Sequence, residues 1–356
     1  MNRRICFLAL RTALSCLMVL AGTRAAEAGK EDERLDIYFI DVEGGAATLI
    51  ITPAGEATLI DSGYPDNNGR DRDRILDVVR NVAGLSRIDH AVVSHWHLDH
   101  YGNHAALAAQ IPIGQFWDRG IPDALEEDKD FETRIADYRA ASQNASRTLR
   151  AGQVFTPASN RTPLEIQVVT ASRQVIPNSG PHNPHASKHQ PQPEDTSDNA
   201  ASVSLRLTFG EFAFLCCGDL TWNVEAQLVT PNNPLGTVDL FMVTHHGLPT
   251  SNNPVLVHAI DPTVAVMCNG PTKGGDPQTI ATLRDAKSLQ HWYQLHRNVN
   301  LAADAQAPAE FIANSEPTVN CEGVWVKASV APDGASYTMQ IGPQGMKRTY
   351  QTRKKP

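Results

Sequence analysis

The sequence predicts an α/β protein. Three observations carry that expectation: apolar stretches with strand-like alternation recur along the 356 residues, segments of helical spacing fall between them, and four of the strand ends carry His or Asp. With 41% hydrophobic and 20% charged residues, the chain has the composition of a globular protein with a sizeable core.

Residues 1–28 stand apart from the rest. Arg3 and Arg4 precede an apolar run from Ile5 to Gly22, and Ala26-Glu27-Ala28 follows with small residues, the order of a secretory signal cut after Ala28. The run is short and interrupted for a span of roughly 20 apolar residues. Export to the periplasm or the medium is therefore expected, with no membrane span left in the mature chain. Losing four arginines and one glutamate with the signal takes the formal charge from −8 to −11. So acidic a surface repels a phosphate backbone; it excludes strong nucleic-acid binding and leaves a small molecule as the expected partner. Four cysteines remain, Cys216, Cys217, Cys268 and Cys321, enough for one or two bridges in an oxidising compartment.

The stretch LDIYFIDVEGGAATLIIT from Leu35 and the segment EATLIDSGY from Glu56 read as three tightly joined strands. From Asp71 to Val82 the apolar residues Ile75, Leu76, Val78, Val79 and Val82 have helical spacing. RIDHAVVSH is a short strand that delivers His95 from its end. A short helix is expected over 102–110 and a longer charged one over 125–142. Residues 176–199 are rich in Pro, His, Ser and Asn without any period and predict a loop, whose His182, His185 and His189 are expected to be solvated. SVSLRLTFGEFAFLCCGDL is a hairpin through Gly-Glu, followed by a helix over 221–229. TVDLFMVTHHGLPTS and PTVAVMCNG supply two further strands, and a helix follows over 277–287. Residues 322–340 predict two strands joined through Pro-Asp-Gly, ahead of a basic, solvated end from Lys347 to Lys355. The expected division is a signal at 1–28, a catalytic domain at 29–300, and a β-rich extension with its tail at 301–356.

The cargo of the strand ends is one kind of chemistry. Asp61, the cluster His95, His97, Asp99 and His100, then Asp219, and the doublet His245-His246 are imidazoles and carboxylates, the ligand set of zinc, manganese and iron. His95 and His97 can project to one side while Asp99 and His100, beyond a turn, can face a second ion, with Asp219 between the two. Cations so placed acidify a shared water into a nucleophile at neutral pH.

The motif SHWHLDH, preceded by LIDSG and followed by GDL and HHG, resembles the metallo-β-lactamase superfamily from about Leu35 to Asn269. The phrases around SVSLRL and VTHHGLPTS are further similar to the branch that holds the hydrolase domain of ComEC-type DNA-uptake channels and secreted phosphorylcholine esterases. The resemblance implies a four-layer αββα sandwich with a short C-terminal β extension and a site at one edge of its two sheets. It implies one or two Zn²⁺ ions, with Mn²⁺ or Fe as alternatives: His95 and His97 on the first, Asp99 and His100 on the second, Asp219 on both, and His245 or His246 as a further ligand. Asp99 and Asp61 would be the catalytic carboxylates, Asp61 by orienting the cluster. Two departures stand out. Asn103 replaces a glycine of the usual motif and brings His104, expected as an exposed helix-start residue. The usual third-motif histidine is missing, with Asp198 or Asn199 in its region, so its place could fall to Asp198, a loop histidine or water.

Three functions follow as expectations. The first is a hydrolase of small phosphodiesters or phosphomonoesters. The second is a hydrolase of esters, lactones or β-lactams on the same site, and the third a non-catalytic periplasmic binding protein of this fold.

Overall fold

The computed structural model describes residues 28–65, 67–316 and 321–354. Apart from Ala28, the signal expected at 1–28 lies outside them. The strands in chain order are β1 (Leu35–Phe39), β2 (Thr48–Ile51), β3 (Ala57–Ile60), β4 (Ile88–Val92), β5 (Ile113–Asp118) and β6 (Arg147–Thr148). There follow β7 (Val154–Phe155), β8 (Leu164–Ala171), β9 (Gln174–Val175), β10 (Ser204–Phe209), β11 (Phe212–Cys216), β12 (Leu240–Met242), β13 (Val264–Met267), β14 (His291–His296) and β15 (Ile312–Asn314). The last three are β16 (Val326–Val330), β17 (Ser336–Ile341) and β18 (Lys347–Gln351). They form two sheets: one in the order β18-β17-β16-β1-β2-β3-β4-β5-β6, the other β15-β14-β13-β12-β11-β10-β8-β7 with β9 on β8.

The two sheets face each other across a shared apolar core that holds Phe39, Phe214, Tyr337 and Tyr350, with the Phe39 and Phe214 rings 5.9 Å apart, edge to face. Helices cover both outer faces. On the first sheet lie α1 (Arg70–Asp77), α2 (Leu98–Tyr101), α3 (His104–Ala108) and α4 (Phe131–Ala141). On the second lie α5 (Trp222–Leu228), α6 (Pro254–Ile260) and α7 (Pro277–Arg284). The fold is thus the αββα sandwich. Strands buried on both faces read as continuous apolar runs, which is why LII, FAFLC and VAVM show no alternation.

The helix expected over 71–82 is α1 continued by a wider turn over Val78–Val82. Pro-Asp-Gly joins β16 to β17, and β16 pairs antiparallel with β1, so these strands are part of the first sheet. The end from Lys347 is not the solvated tail expected: Lys347–Gln351 is β18, Tyr350 reaches the central core, and Arg353 binds Asp261 and the Val238 carbonyl. The four cysteines named above are all free, so the bridges that were open to them are not formed. Among the described residues no helix is long and apolar enough to cross a membrane.

Strands β3, β4 and β5 run parallel, as do β11 through β15. Ligands in such sheets gather beyond the C-terminal ends of parallel strands, where each chain leaves for its helix. Asp61 follows β3, His95 follows β4, Asp219 follows β11 and the His245-His246 pair follows β12.

Candidate metal centre

The backbone at this edge is held in uncommon conformations. Asp61 has φ 60°, His245 φ 53° and His246 φ 54°, a left-handed region that costs a non-glycine residue about 1–3 kcal/mol. Tertiary contacts hold it there. The chain after β12 turns left-handed at three successive residues, Gly247 included, and so presents both imidazoles to the same hollow.

Asp99, His100, Asp219 and His246, all buried, place one potential ligand atom each within 4.8 Å of one another. His100 Nε2 lies 3.2 Å from Asp219 Oδ2, 3.5 Å from Asp99 Oδ2 and 3.3 Å from His246 Nε2. His246 Nε2 is 3.3 Å from both Asp99 Oδ2 and Asp219 Oδ2. A tetrahedron of nitrogen and oxygen ligands about 2.1 Å from zinc has edges of about 3.4 Å, so the donor set fits a divalent ion. Two more imidazoles face the same carboxylate oxygen: His245 Nε2 at 3.3 Å and His95 Nε2 at 3.9 Å from Asp219 Oδ2.

Each ring's other nitrogen is tied down, which fixes the tautomer. His100 Nδ1 donates to Asp61 Oδ2 at 2.8 Å, and His246 Nδ1 donates to the Cys268 carbonyl at 3.0 Å. Ser94 Oγ gives its proton to Asp61 Oδ2 at 2.7 Å, so it accepts from His95 Nδ1 at 3.0 Å. Ser251 Oγ gives its proton to the Leu220 carbonyl at 2.7 Å and accepts from His245 Nδ1 at 3.2 Å. In all four rings Nε2 is therefore the nitrogen that faces Asp219. His95 Nε2 is buried with no hydrogen-bond partner, an orphaned lone pair of the kind that folded proteins rarely leave.

Burial disfavours every charge in this hollow, yet its groups hold one another's charges. Burial opposes ionisation of Asp219, but His100, His245 and His246 keep its carboxyl well below the ordinary range. Asp99 behaves likewise through His100, His246 and Lys273. Burial works against His100 carrying a proton, and Asp219, Asp99 and Asp61 together raise it well above its usual value. His95 is pushed the other way, first by burial and then by His100, and His245 is pushed down to about 4, chiefly by burial. Three buried carboxylates and several basic nitrogens in one hollow make a donor set that fits a divalent cation.

His97, expected beside His95, comes close without joining the set. Its ring lies 4.7 Å from that of His95, but its Nε2 is 3.2 Å from Glu127 Oε1 at the rim. Between them, Trp96 is buried against Tyr101, Phe131 and Tyr138 and anchors the loop. Asp198 accepts from the Trp96 amide at 2.6 Å and is paired with Arg119, so its carboxylate is committed away from the hollow. Asn199 is buried and does not join the set either. His104 is not the exposed residue expected. It is fully buried, with Nδ1 2.7 Å from Ser62 Oγ, and burial pushes it down to about 4. Asn103, in the place of the motif glycine, donates to the Ser62 and Tyr64 carbonyls and so ties the helix start to the strand that carries Asp61. His182, His185 and His189 lie on the loop over 176–199, apart from the cluster.

Sequence reasoning missed Lys273, whose Nζ lies 2.5 Å from Asp99 Oδ2, and Tyr64, whose ring that ammonium faces at 5.8 Å. A lysine in a glycine-rich turn carries no signal of its own. Asp41, Glu43, His296 and Cys321 form a second group of ligand-type residues, but Arg74 and Arg70 already neutralise its carboxylates at 2.8–3.1 Å and His296 donates to Asp41.

Fold and site together define a sandwich with a candidate divalent-metal site at its edge. Residues 40–195 match the family model described as Metallo-beta-lactamase superfamily, which supports that superfamily for the half of the site that holds Asp61 and His95 to His100. No curated protein matches the chain in sequence. Among solved structures, the chain is 13% identical to a protein of Parabacteroides distasonis that is provisionally described as a metal-dependent hydrolase (72% of this chain and 92% of that one covered, TM-score 0.40). It is 15% identical to CmlA, a diiron β-hydroxylase of Streptomyces venezuelae (65% and 44%, TM-score 0.36). It is 16% identical to a metallo-beta-lactamase mutant of Cronobacter sakazakii (72% and 76%, TM-score 0.32).

Proposed function

We propose that this chain is an exported, metal-dependent hydrolase of small phosphodiesters or phosphoesters. One observation carries the metal part: four imidazoles, each with Nδ1 tied to a second partner, converge their Nε2 atoms on Asp219 Oδ2. Asp99, His100, Asp219 and His246 would hold one ion. His95, Asp219 and His245 would face a second, His245 standing in for the absent third-motif histidine. The bound ions supply Lewis acidity and the activation of water. Everything else is done by the chain. Asp61 keeps the proton of His100 on Nδ1, Ser94 does the same for His95, and the Cys268 carbonyl does so for His246. The wall of Trp96, Tyr101 and Tyr138 holds the loop rigid, so the donors keep their geometry through a reaction cycle.

Phosphoester chemistry is favoured by the likeness of the SVSLRL and HHG phrases to the phosphorylcholine esterase branch, and export by the pattern of residues 1–28. The test is turnover of bis(p-nitrophenyl) phosphate, p-nitrophenyl phosphate, an aryl ester, a lactone and a β-lactam by zinc- or manganese-loaded protein, with His100→Ala as control. Metal-dependent phosphoester cleavage that the control lacks is expected. Turnover of the carbonyl substrates alone would replace the substrate class, and no turnover by a fully loaded protein would leave the binding-protein reading in its stead.

A further inference from the structure

We infer that Lys273 is the recognition group for an anionic phosphoryl group on the ligand of this site, a deepening that rests on the metal-dependent reading above. The ammonium sits against Asp99 Oδ2, the same oxygen that His100 and His246 approach, so it borders the hollow itself. Its charge acts on Asp99, His245 and His246, and Asp99 and Asp219 in turn hold its proton. A cation beside metal ligands weakens the hold on a metal unless something negative faces it in turn. The Lys273 side chain keeps 32% of its surface open, against 11% for Asp99, so it is a rim group with a free side toward incoming molecules.

The backbone fixes that position. The Gly270 amide donates to the Lys273 carbonyl at 2.9 Å, closing the turn. The amides of Gly275 and Asp276 donate to the carbonyls of His246 and Gly247 at 3.0 and 2.9 Å, and Asn298 holds the Gly274 carbonyl at 2.7 Å. Gly274 has φ +82°, and a Cβ there would stand 2.1 Å from the His246 carbonyl oxygen, so only glycine lets the turn lie this close to the histidine doublet. The lysine is thereby bolted to the metal-facing turn, at the same edge as the donors, with Tyr64 as its flank. An ammonium on a four-carbon stem, fixed at its base and with donors beyond the one on Asp99, serves as a point charge for phosphate.

The probe is inorganic phosphate, titrated calorimetrically into zinc- or manganese-loaded wild type, Lys273→Met and Lys273→Arg, with metal content measured on each sample. Loss of a charge-assisted contact weakens phosphate binding about 10- to 100-fold in Lys273→Met, with metal content unchanged and Lys273→Arg in between. Equal phosphate affinity in Lys273→Met, no phosphate binding by loaded wild type, or loss of metal from Lys273→Met would each overturn the inference, the last by making the lysine a support for Asp99 alone. Failure of the hydrolase reading is seen separately, as absent turnover of every phosphoester while phosphate binding still depends on Lys273.

Discussion

Replacing Asp61 by Asn should loosen the metal without unfolding the chain. Asp61 Oδ1 accepts the Ser94 amide at 2.8 Å, and Oδ2 accepts both Ser94 Oγ at 2.7 Å and His100 Nδ1 at 2.8 Å. An asparagine retains one of the two oxygens. If its NH₂ faces Ser94 N–H, two donors collide; if it faces His100 Nδ1, the imidazole must shift its proton to Nε2 and withdraw the lone pair that a metal needs. Asparagine is also the side chain that best tolerates φ 60°, so the backbone cost stays small and the effect is electronic. Loss of such an outer partner lowers metal affinity about 10- to 100-fold. Competition against a chromogenic chelator reads the affinity, and circular dichroism checks the fold. Asp61→Asn holding metal as tightly as the wild type, with the fold intact, would refute the reasoning.

Two further outcomes are expected. Burial pushes Glu225, whose Oε2 accepts the Asn253 amide at 2.7 Å, up to about 7 from its ordinary 4.5. The folded chain then holds this proton more tightly than the unfolded one, so stability present below about pH 4.5 is lost as pH rises toward 7, by up to about 3 kcal/mol. Denaturant melts of metal-free protein should show the wild type losing stability relative to Glu225→Gln between pH 5 and 8, and a constant difference would contradict it. Metal removal should matter equally: zinc or manganese at about 100 times its dissociation constant adds about 2.7 kcal/mol. Differential scanning calorimetry should show chelation lowering Tm in the wild type and leaving Asp219→Ala unmoved, whereas equal shifts would count against the assigned donors.

Much of the site was legible because its chemistry is written in residue types that seldom cluster by chance. His95 to His100 announce themselves in six residues, and the carboxylates at strand ends share one edge once parallel strands are recognised. Distances across the sheet are a different matter. His97 and His95 have equal standing in the sequence, and only Glu127, 30 residues on, turns the first toward the rim. His104 was misread because the face of a four- or five-residue helix is set by what packs on it, here Ser62 and Phe116. The basic end was misread because its charges hide alternation: within β18, between exposed Lys347, Thr349 and Gln351, Tyr350 turns inward and fills the space between the sheets. Lys273 was invisible because its partner lies 174 residues away and its turn is defined by contacts to the histidine doublet.

Anomalous diffraction from crystals grown with zinc or manganese, recorded at the metal edge, tests the central claim most directly. A peak bounded by Asp99 Oδ2, His100 Nε2, Asp219 Oδ2 and His246 Nε2 is expected. An empty hollow in crystals whose metal sits at Asp41, Glu43, His296 and Cys321, or nowhere on the protein, would contradict it.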